Sequence, residues 1–325
     1  MRAVVITQPG GPEVLALEQV ADPEPGPGQV RVRVVAFGLN RADLLQRRGM
    51  YPAPPGWPQD IPGLEYSGEV AALGPQVSEV AVGDRVMGIV GGGSYAEYVL
   101  TPAVHALPVP AGMSLVDAAA IPEVFVTAHD ALERLAVAAD EWVLVHAVGS
   151  GVGTAAVQLI AARGARCIGT SRTAAKLARA AELGMQAGVD LTGEDLPTAV
   201  RRHTGEGAHA ALDLVGGKLF SATLEALRCR GRLILVGLTA GRQVDLDLSL
   251  ILRKRLRIEG TVLRARSVEE KEQVCQSFTR SIVPLFESRR LQVVIDRVFP
   301  LEQVREAHGY LESNVNFGKV VVQVA

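Results

Sequence analysis

Apolar and polar residues alternate along Gln29–Val35, the period-two pattern of a half-buried strand. The opening run, Met1-Arg2-Ala3-Val4-Val5-Ile6, also reads as a strand. Turn residues punctuate the first third densely, at Pro23 to Gly28, Gly83-Asp84 and Gly91-Gly92-Gly93. One short helix is expected over Ala42 to Arg48. The proline-rich stretch Tyr51 to Pro58 is expected to be an extended loop, since proline disfavours helix both at its own position and at the one before.

The texture changes near Ser114. Helical periodicity appears at Leu115–Ala120 and Phe125–Leu135. A regular alternation then follows: strand Trp142–Ala147, helix Thr154–Arg163, strand Arg166–Thr170, helix Ala174–Leu183, strand His209–Val215, helix Phe220–Leu227 and strand Arg232–Val236. Such alternation implies a parallel sheet covered by helices on both faces. Arg257–Val262 reads as a late strand, Val268 to Glu287 as one long helical segment, and Lys319 to Val324 as a last strand. That last strand resembles those of the first third, so the chain is expected to return to its first domain.

Composition narrows the classes. At 325 residues, 48% hydrophobic and 21% charged, the chain has room for two cores. A formal net charge of −2 gives no global footprint for nucleic acid or an anionic membrane, and no apolar stretch is long enough to span a bilayer. The three cysteines, Cys167, Cys229 and Cys275, are far apart and define no disulfide framework. The first residues lack the apolar core of a signal peptide. A cytoplasmic protein is the expectation.

The segment Trp142 to Ala156 carries the clearest chemistry: a buried strand, the Gly-rich turn Gly149-Ser150-Gly151-Val152-Gly153, then a helix. Glycines let backbone approach a pyrophosphate, and the helix N-terminus offers free N–H groups to it. The strict GxGxxG register would fall on Val148, Ser150 and Gly153, of which the last alone is glycine; the strand–turn–helix context carries the reading. An NAD site places an acid at the end of the second strand. Here that strand ends Gly169-Thr170-Ser171-Arg172, with Lys176 following, a set suited to a ribose 2′-phosphate. NADPH is therefore the expected coenzyme.

Further segments extend the picture: Gly11-Pro12-Glu13-Val14-Leu15, Asn40-Arg41-Ala42-Asp43, Gly49-Met50-Tyr51-Pro52, Pro62-Gly63-Leu64-Glu65, Gly83-Asp84-Arg85-Val86, Ala118-Ala119-Ala120-Ile121-Pro122, Asp213-Leu214-Val215-Gly216-Gly217 and Asn316-Phe317-Gly318-Lys319. With the Gly-rich turn, they make nearly the whole chain similar to the zeta-crystallin-like quinone oxidoreductases, a zinc-free branch of the medium-chain dehydrogenase/reductase superfamily.

The resemblance implies an α/β protein: a GroES-like β-barrel substrate domain, residues 1–122 completed by 266–325, and a doubly wound Rossmann domain, residues 123–265, for NADPH. It implies coenzyme contacts at Thr127, at Ser150, Gly151, Val152 and Gly153, at Ser171, Arg172 and Lys176 for the 2′-phosphate, and at Val215, Gly237, Leu238, Leu263 and Asn316. Asn40 and Tyr51 are implied to face the substrate, a quinone, with their amide and hydroxyl donating to its oxygens. Leu45 and Leu191 stand where some relatives have tyrosines. Asn40 and Leu64 occupy the positions of the zinc ligands in metal-dependent relatives, so no metal is expected. A homodimer is implied, paired through the edge strand Arg257–Val262.

His146, at a strand end, is expected to be a satisfied core residue, and Asp213 a helix cap. An enone or enoyl-thioester reductase is an alternative activity, and a coenzyme-binding structural or RNA-binding protein an alternative of another class; no RNA motif is present.

Overall fold

The alternation that begins at Gln29 runs on to Gly38, burying Val30, Val32 and Val34 on one face before the strand becomes covered on both sides. In chain order the strands are β1 (Arg2–Ile6), β2 (Leu15–Gln19), β3 (Gln29–Gly38), β4 (Glu65–Leu73), β5 (Arg85–Ile89), β6 (Tyr98–Pro102), β7 (Leu107–Pro108), β8 (Trp142–Val145), β9 (Arg166–Ser171), β10 (Ala187–Asp190), β11 (Ala208–Asp213), β12 (Leu227–Leu235), β13 (Arg257–Gly260), β14 (Ile295–Pro300) and β15 (Lys319–Gln323). The computed structural model describes residues 1–325. It divides into two units, Met1–Val126 with Leu263–Ala325, and Thr127–Val262.

In the first unit, β3 is the hub of a sheet ordered β14-β15-β3-β4-β5-β7, with β6 also paired to β3 and β1–β2 forming a separate ribbon. The pairings are antiparallel except for β14 with β15. Its core includes Val32, Phe37, Tyr66, Tyr95, Val320 and Val322. β15 pairs antiparallel with β3, Val321 opposite Gly38, so the end of the chain is part of the first sheet.

The second unit is a parallel sheet ordered β10-β9-β8-β11-β12-β13. Its first strand in sequence, β8, lies inside the sheet, and successive strands step outward on either side. This is the doubly wound order, whose reversal point at the C-terminal ends of β8 and β11 is where such sheets accept ligands. Leu144, Ile168, Val189, Ala211, Leu224 and Leu233 build its core. No helix of the molecule is long and apolar enough to cross a membrane.

Several expectations change. The segment expected as one helix from Val268 to Glu287 is two, Val268–Ser281 and Val283–Glu287, because Pro284 has no N–H to continue the ladder and starts a new first turn instead. β10 and the Leu196–Thr204 helix lie in a stretch for which the sequence pattern gave no element. The division between units falls inside the Pro122–Arg134 helix rather than at its start, since this one helix runs from one unit into the other.

Candidate active site

In the second unit, β8 delivers the chain into the Gly-rich turn. Ala147 takes a left-handed φ of 50°, a conformation disfavoured for a side-chain-bearing residue and the point where strand direction is lost. Ser150 is the N-cap of the Gly151–Ala162 helix, its hydroxyl accepting from Gly153 N at 3.1 Å. A Cβ on Gly153 would clash with the Ala147 carbonyl and lie 2.7 Å from Val148 Cα, so glycine there allows the helix to pack onto the strand. A Cβ on Gly149 would lie 2.7 Å from Lys176 Cδ: the lysine stem covers the turn. Ser171 ends β9, its hydroxyl accepting from Thr173 N at 3.1 Å, and Arg172 is exposed beside it. Lys176 thus lies against the Gly-rich turn, while Arg172 is exposed just after β9.

Asp213 is not a helix cap. Its Oδ1 accepts from Val215 N at 2.8 Å and Gly216 N at 2.9 Å, holding the turn after β11, because the chain reverses before the Leu219–Ala226 helix begins. Gly237 follows β12 close to that turn, where a Cβ would meet Leu214 O at 2.8 Å, and Leu238 is exposed. Val215 and Val152 are half-buried; Thr127 is buried on the Pro122–Arg134 helix. His146 is fully buried, with Nδ1 2.9 Å from Thr170 Oγ1 and Nε2 2.8 Å from Thr223 Oγ1. Thr223 donates its hydroxyl proton to Leu219 O, so Nε2–H donates to Thr223 and Nδ1 accepts from Thr170. Burial pushes this imidazole down to about 4, and it is a neutral core residue.

In the first unit, charged groups converge where β3, β4 and β15 meet. Lys319 Nζ donates to Glu65 Oε1 at 2.5 Å, to Asn40 Oδ1 at 2.8 Å and to Leu39 O at 2.6 Å. Glu65 is wholly buried and Lys319 nearly so. Asn40 Nδ2 donates to Glu65 Oε1 at 2.8 Å and, at 3.3 Å, to Gly38 O. Both amide N–H groups are thus engaged within the protein. The expectation that Asn40 donates to a substrate oxygen gives way to a positioning role for the ion pair, because a buried carboxylate demands every nearby donor. Glu65 Oε2 accepts from Glu123 N at 2.8 Å, tying the start of the Pro122–Arg134 helix to β4.

Asp43, on the Arg41–Arg47 helix, anchors a buried relay. Its Oδ2 accepts from Asn40 N at 2.7 Å and Tyr95 Oη at 2.9 Å; Oδ1 is buried without a partner. Tyr95 accepts in turn from His308 Nε2 at 3.1 Å, and Arg47 Nη1 donates to His308 Nδ1 at 3.1 Å. Burial raises Asp43 to about 6 and lowers His308 to about 3.

Tyr51 is half-buried in the proline-rich loop, which forms neither helix nor strand. Arg264 fixes it. The guanidinium donates to Tyr51 O at 2.9 Å, to Gly91 O at 2.8 Å and to Gln46 Oε1, and lies 4.9 Å from the Tyr51 ring centroid. Arg264 O accepts from Lys271 Nζ at 2.9 Å. The Tyr51 hydroxyl has no hydrogen-bond partner in the protein; burial raises its pKa, with Arg264 opposing and Glu123 reinforcing. Leu263 is buried, and Asn316 turns its Nδ2 onto Gly318 O at 2.8 Å. Leu64, at the second zinc-ligand position of metal-dependent relatives, is a core residue, and no three His, Cys, Asp or Glu side chains cluster to hold a metal.

Sequence reasoning missed Arg264, Lys319 and Glu123 as site residues. The signal for Lys319 was a lysine heading an otherwise apolar strand. Glu123 and Arg264 carry no local signal that sets them apart from other charged residues of the chain.

Fold and site together define a two-unit, nicotinamide-dependent type of oxidoreductase. The alcohol dehydrogenase GroES-like domain model matches residues 26–111, and the zinc-binding dehydrogenase model matches residues 151–280. A quinone oxidoreductase-like protein 2 homolog of Nematostella vectensis is 32% identical over 99% of this chain and 88% of its own. The NADPH complex of Escherichia coli quinone oxidoreductase superposes with a TM-score of 0.90 at 27% identity, covering all of both chains. A structure described as an NAD-dependent alcohol dehydrogenase gives 0.90 at 36%, again over both whole chains. The chain belongs to the medium-chain dehydrogenase/reductase superfamily, among its quinone oxidoreductase-like members.

Proposed function

We propose that the protein is an NADPH-dependent reductase of quinones that works without metal. The observation that carries this reading is the occurrence, in one chain, of a built Gly-rich turn covered by the Lys176 stem, an exposed Arg172 after the next strand, and a first unit that offers a partnerless Tyr51 hydroxyl and no metal-ligand cluster. When bound, the nicotinamide coenzyme supplies a hydride, the difficult part of the chemistry. The chain's residues then bind, orient and stabilise charge. The Gly151–Ala162 helix N-terminus and Ser150 to Gly153 receive the pyrophosphate, Ser171, Arg172 and Lys176 the 2′-phosphate, and Thr127, Val215, Gly237, Leu238, Leu263 and Asn316 the remainder.

On the substrate side, Tyr51 donates its hydroxyl to an oxygen that gains negative charge. Asn40 acts indirectly, holding Glu65 and Lys319. Quinones suit this arrangement because they accept a hydride without Lewis-acid activation. We also read the protein as a cytoplasmic homodimer paired through β13, whose outer edge would otherwise present unpaired N–H and C=O groups.

The test uses the protein as purified, with and without chelator: NADPH oxidation with 1,2-naphthoquinone and with an enone, and NADP⁺ reduction with a primary alcohol. Quinone turnover insensitive to chelator is expected. Turnover of the enone alone would move the assignment to the alternative reductase, and chelator-sensitive alcohol oxidation would refute the metal-free reading.

A further inference from the structure

Glu123 stands apart from the other acids of the first unit. It opens the Pro122–Arg134 helix, where its backbone N–H is held by Glu65, yet its carboxyl carries no hydrogen bond to the protein. The residue as a whole is half-buried. Arg264 and Tyr51 both lie within electrostatic reach of it, and Tyr51 has a partnerless hydroxyl of its own. The remaining charges facing it are Glu65 and Asp43, which repel a second negative charge, and Lys319 and Lys271, which favour one. Lys319 is already bound to Glu65 and Asn40, and Lys271 donates to Arg264 O.

Burial, with Glu65 next, holds the Glu123 carboxyl up at about 8, against the preference of a helix N-terminus for an anion. An acid that keeps its proton at neutral pH and is unbound by the protein is what a reductase needs beside its substrate.

We infer that Glu123 is the proton donor of the reductive half-reaction, delivering its carboxyl proton to the substrate oxygen that Tyr51 contacts. The inference rests on the reading of the protein as a quinone reductase. The balance is simple. A quinone that has received a hydride from the nicotinamide coenzyme is a hydroquinone monoanion, reduced by two electrons. The O–H bond of Glu123 breaks, a new O–H bond forms on the phenolate oxygen, and the neutral hydroquinone leaves. The Glu123 carboxylate regains a proton from water once the product has left. Asp43 serves no such role, because its carboxyl is wholly buried and bound to Asn40 N and Tyr95.

The experiment compares the unaltered protein with Glu123→Gln, which keeps shape and removes the proton. Turnover of 1,2-naphthoquinone by the unaltered protein is expected to fall as pH rises through about 8; Glu123→Gln is expected to lose at least about tenfold in kcat at pH 7 and to lose that pH limb, with the KM for NADPH little changed. A readout independent of turnover accompanies it. The unfolded chain releases this proton near 4.3 and the folded one near 8, so Glu123 makes the coenzyme-free protein less stable as pH rises between these values. Thermal unfolding from pH 5 to 9 is expected to show this loss in the unaltered protein and less of it in Glu123→Gln.

Unchanged kcat with the same pH limb in Glu123→Gln would overturn the inference while leaving quinone reduction standing. Equal pH dependence of unfolding in the two proteins would overturn it too, since Glu123 would then carry no proton to give. An unaltered protein that reduces no quinone would overturn the functional reading itself, and this inference with it.

Discussion

Arg264 holds Tyr51 twice: its guanidinium donates to the Tyr51 carbonyl at 2.9 Å and lies 4.9 Å from the centroid of the same residue's ring. The two contacts fix backbone and side chain together, in a loop already stiffened by Pro52, Pro54 and Pro55. The planar guanidinium serves the Gly91 and Gln46 acceptors in a fixed fork while its flat face stands near the ring; a lysine ammonium has no such face.

Tyr51→Phe removes the hydroxyl alone and is expected to lower quinone turnover by about 10- to 100-fold, as for a single oxyanion donor weakened by solvent. Arg264→Lys keeps the charge but frees the loop, and is expected to raise the quinone KM as well as lower kcat. Steady-state kinetics of both variants check this. Full turnover in Tyr51→Phe with loss in Tyr51→Ala would reduce the ring to a packing surface.

Arg172→Ala and Lys176→Ala are each expected to weaken NADPH far more than NADH. A charge-assisted contact contributes roughly 1.5–3 kcal/mol, so each contact separates the coenzymes by about 10- to 100-fold. Titration of both coenzymes into unaltered and variant proteins measures it. Equal affinity for the two in the unaltered protein would remove the basis for assigning a 2′-phosphate site.

The Glu65–Lys319 pair is expected to behave as a buried ion pair whose halves are costly alone. Lys319→Met or Glu65→Gln leaves one charge buried without its partner and should destabilise by about 3–5 kcal/mol. The double variant should recover a substantial part. Denaturant unfolding of the full cycle reads the coupling, and additive losses would show that the two charges do not depend on one another.

Stability in mild acid should be governed in part by His146. An unfolded histidine binds a proton near 6.5, whereas the folded imidazole stays neutral to about 4. Between these values the unfolded state holds more protons, so stability falls as pH drops through the window, by up to about 3 kcal/mol from this residue. His308, held down to about 3, acts with the same sign, and Asp43 and Glu123 with the opposite one. The informative quantity is therefore the difference between the unaltered protein and His146→Gln, measured by thermal unfolding at pH 7 and pH 5. The gap should narrow toward pH 5, and a constant gap would count against a neutral buried imidazole.

Local pattern alone determined most of the second unit's alternation of strand and helix, β10 and the Leu196–Thr204 helix excepted, and the placing of its Gly-rich turn. Each strand is a short apolar run, each helix has its own periodicity, and the glycine at 153 is required by contacts only a few residues away. The first unit was legible as strands but not as pairings. β15 joins β3 across nearly the whole chain, and no local signal encodes such a partner.

The chemistry of that unit was decided by tertiary structure for the same reason. Glu65, Lys319, Asn40 and Glu123 come from distant segments, and each alone reads as an ordinary polar residue. Only when folding removes them from water does charge demand a partner. Asn40 then turns inward to the ion pair, and Glu123 is left with a carboxyl that nothing in the protein binds.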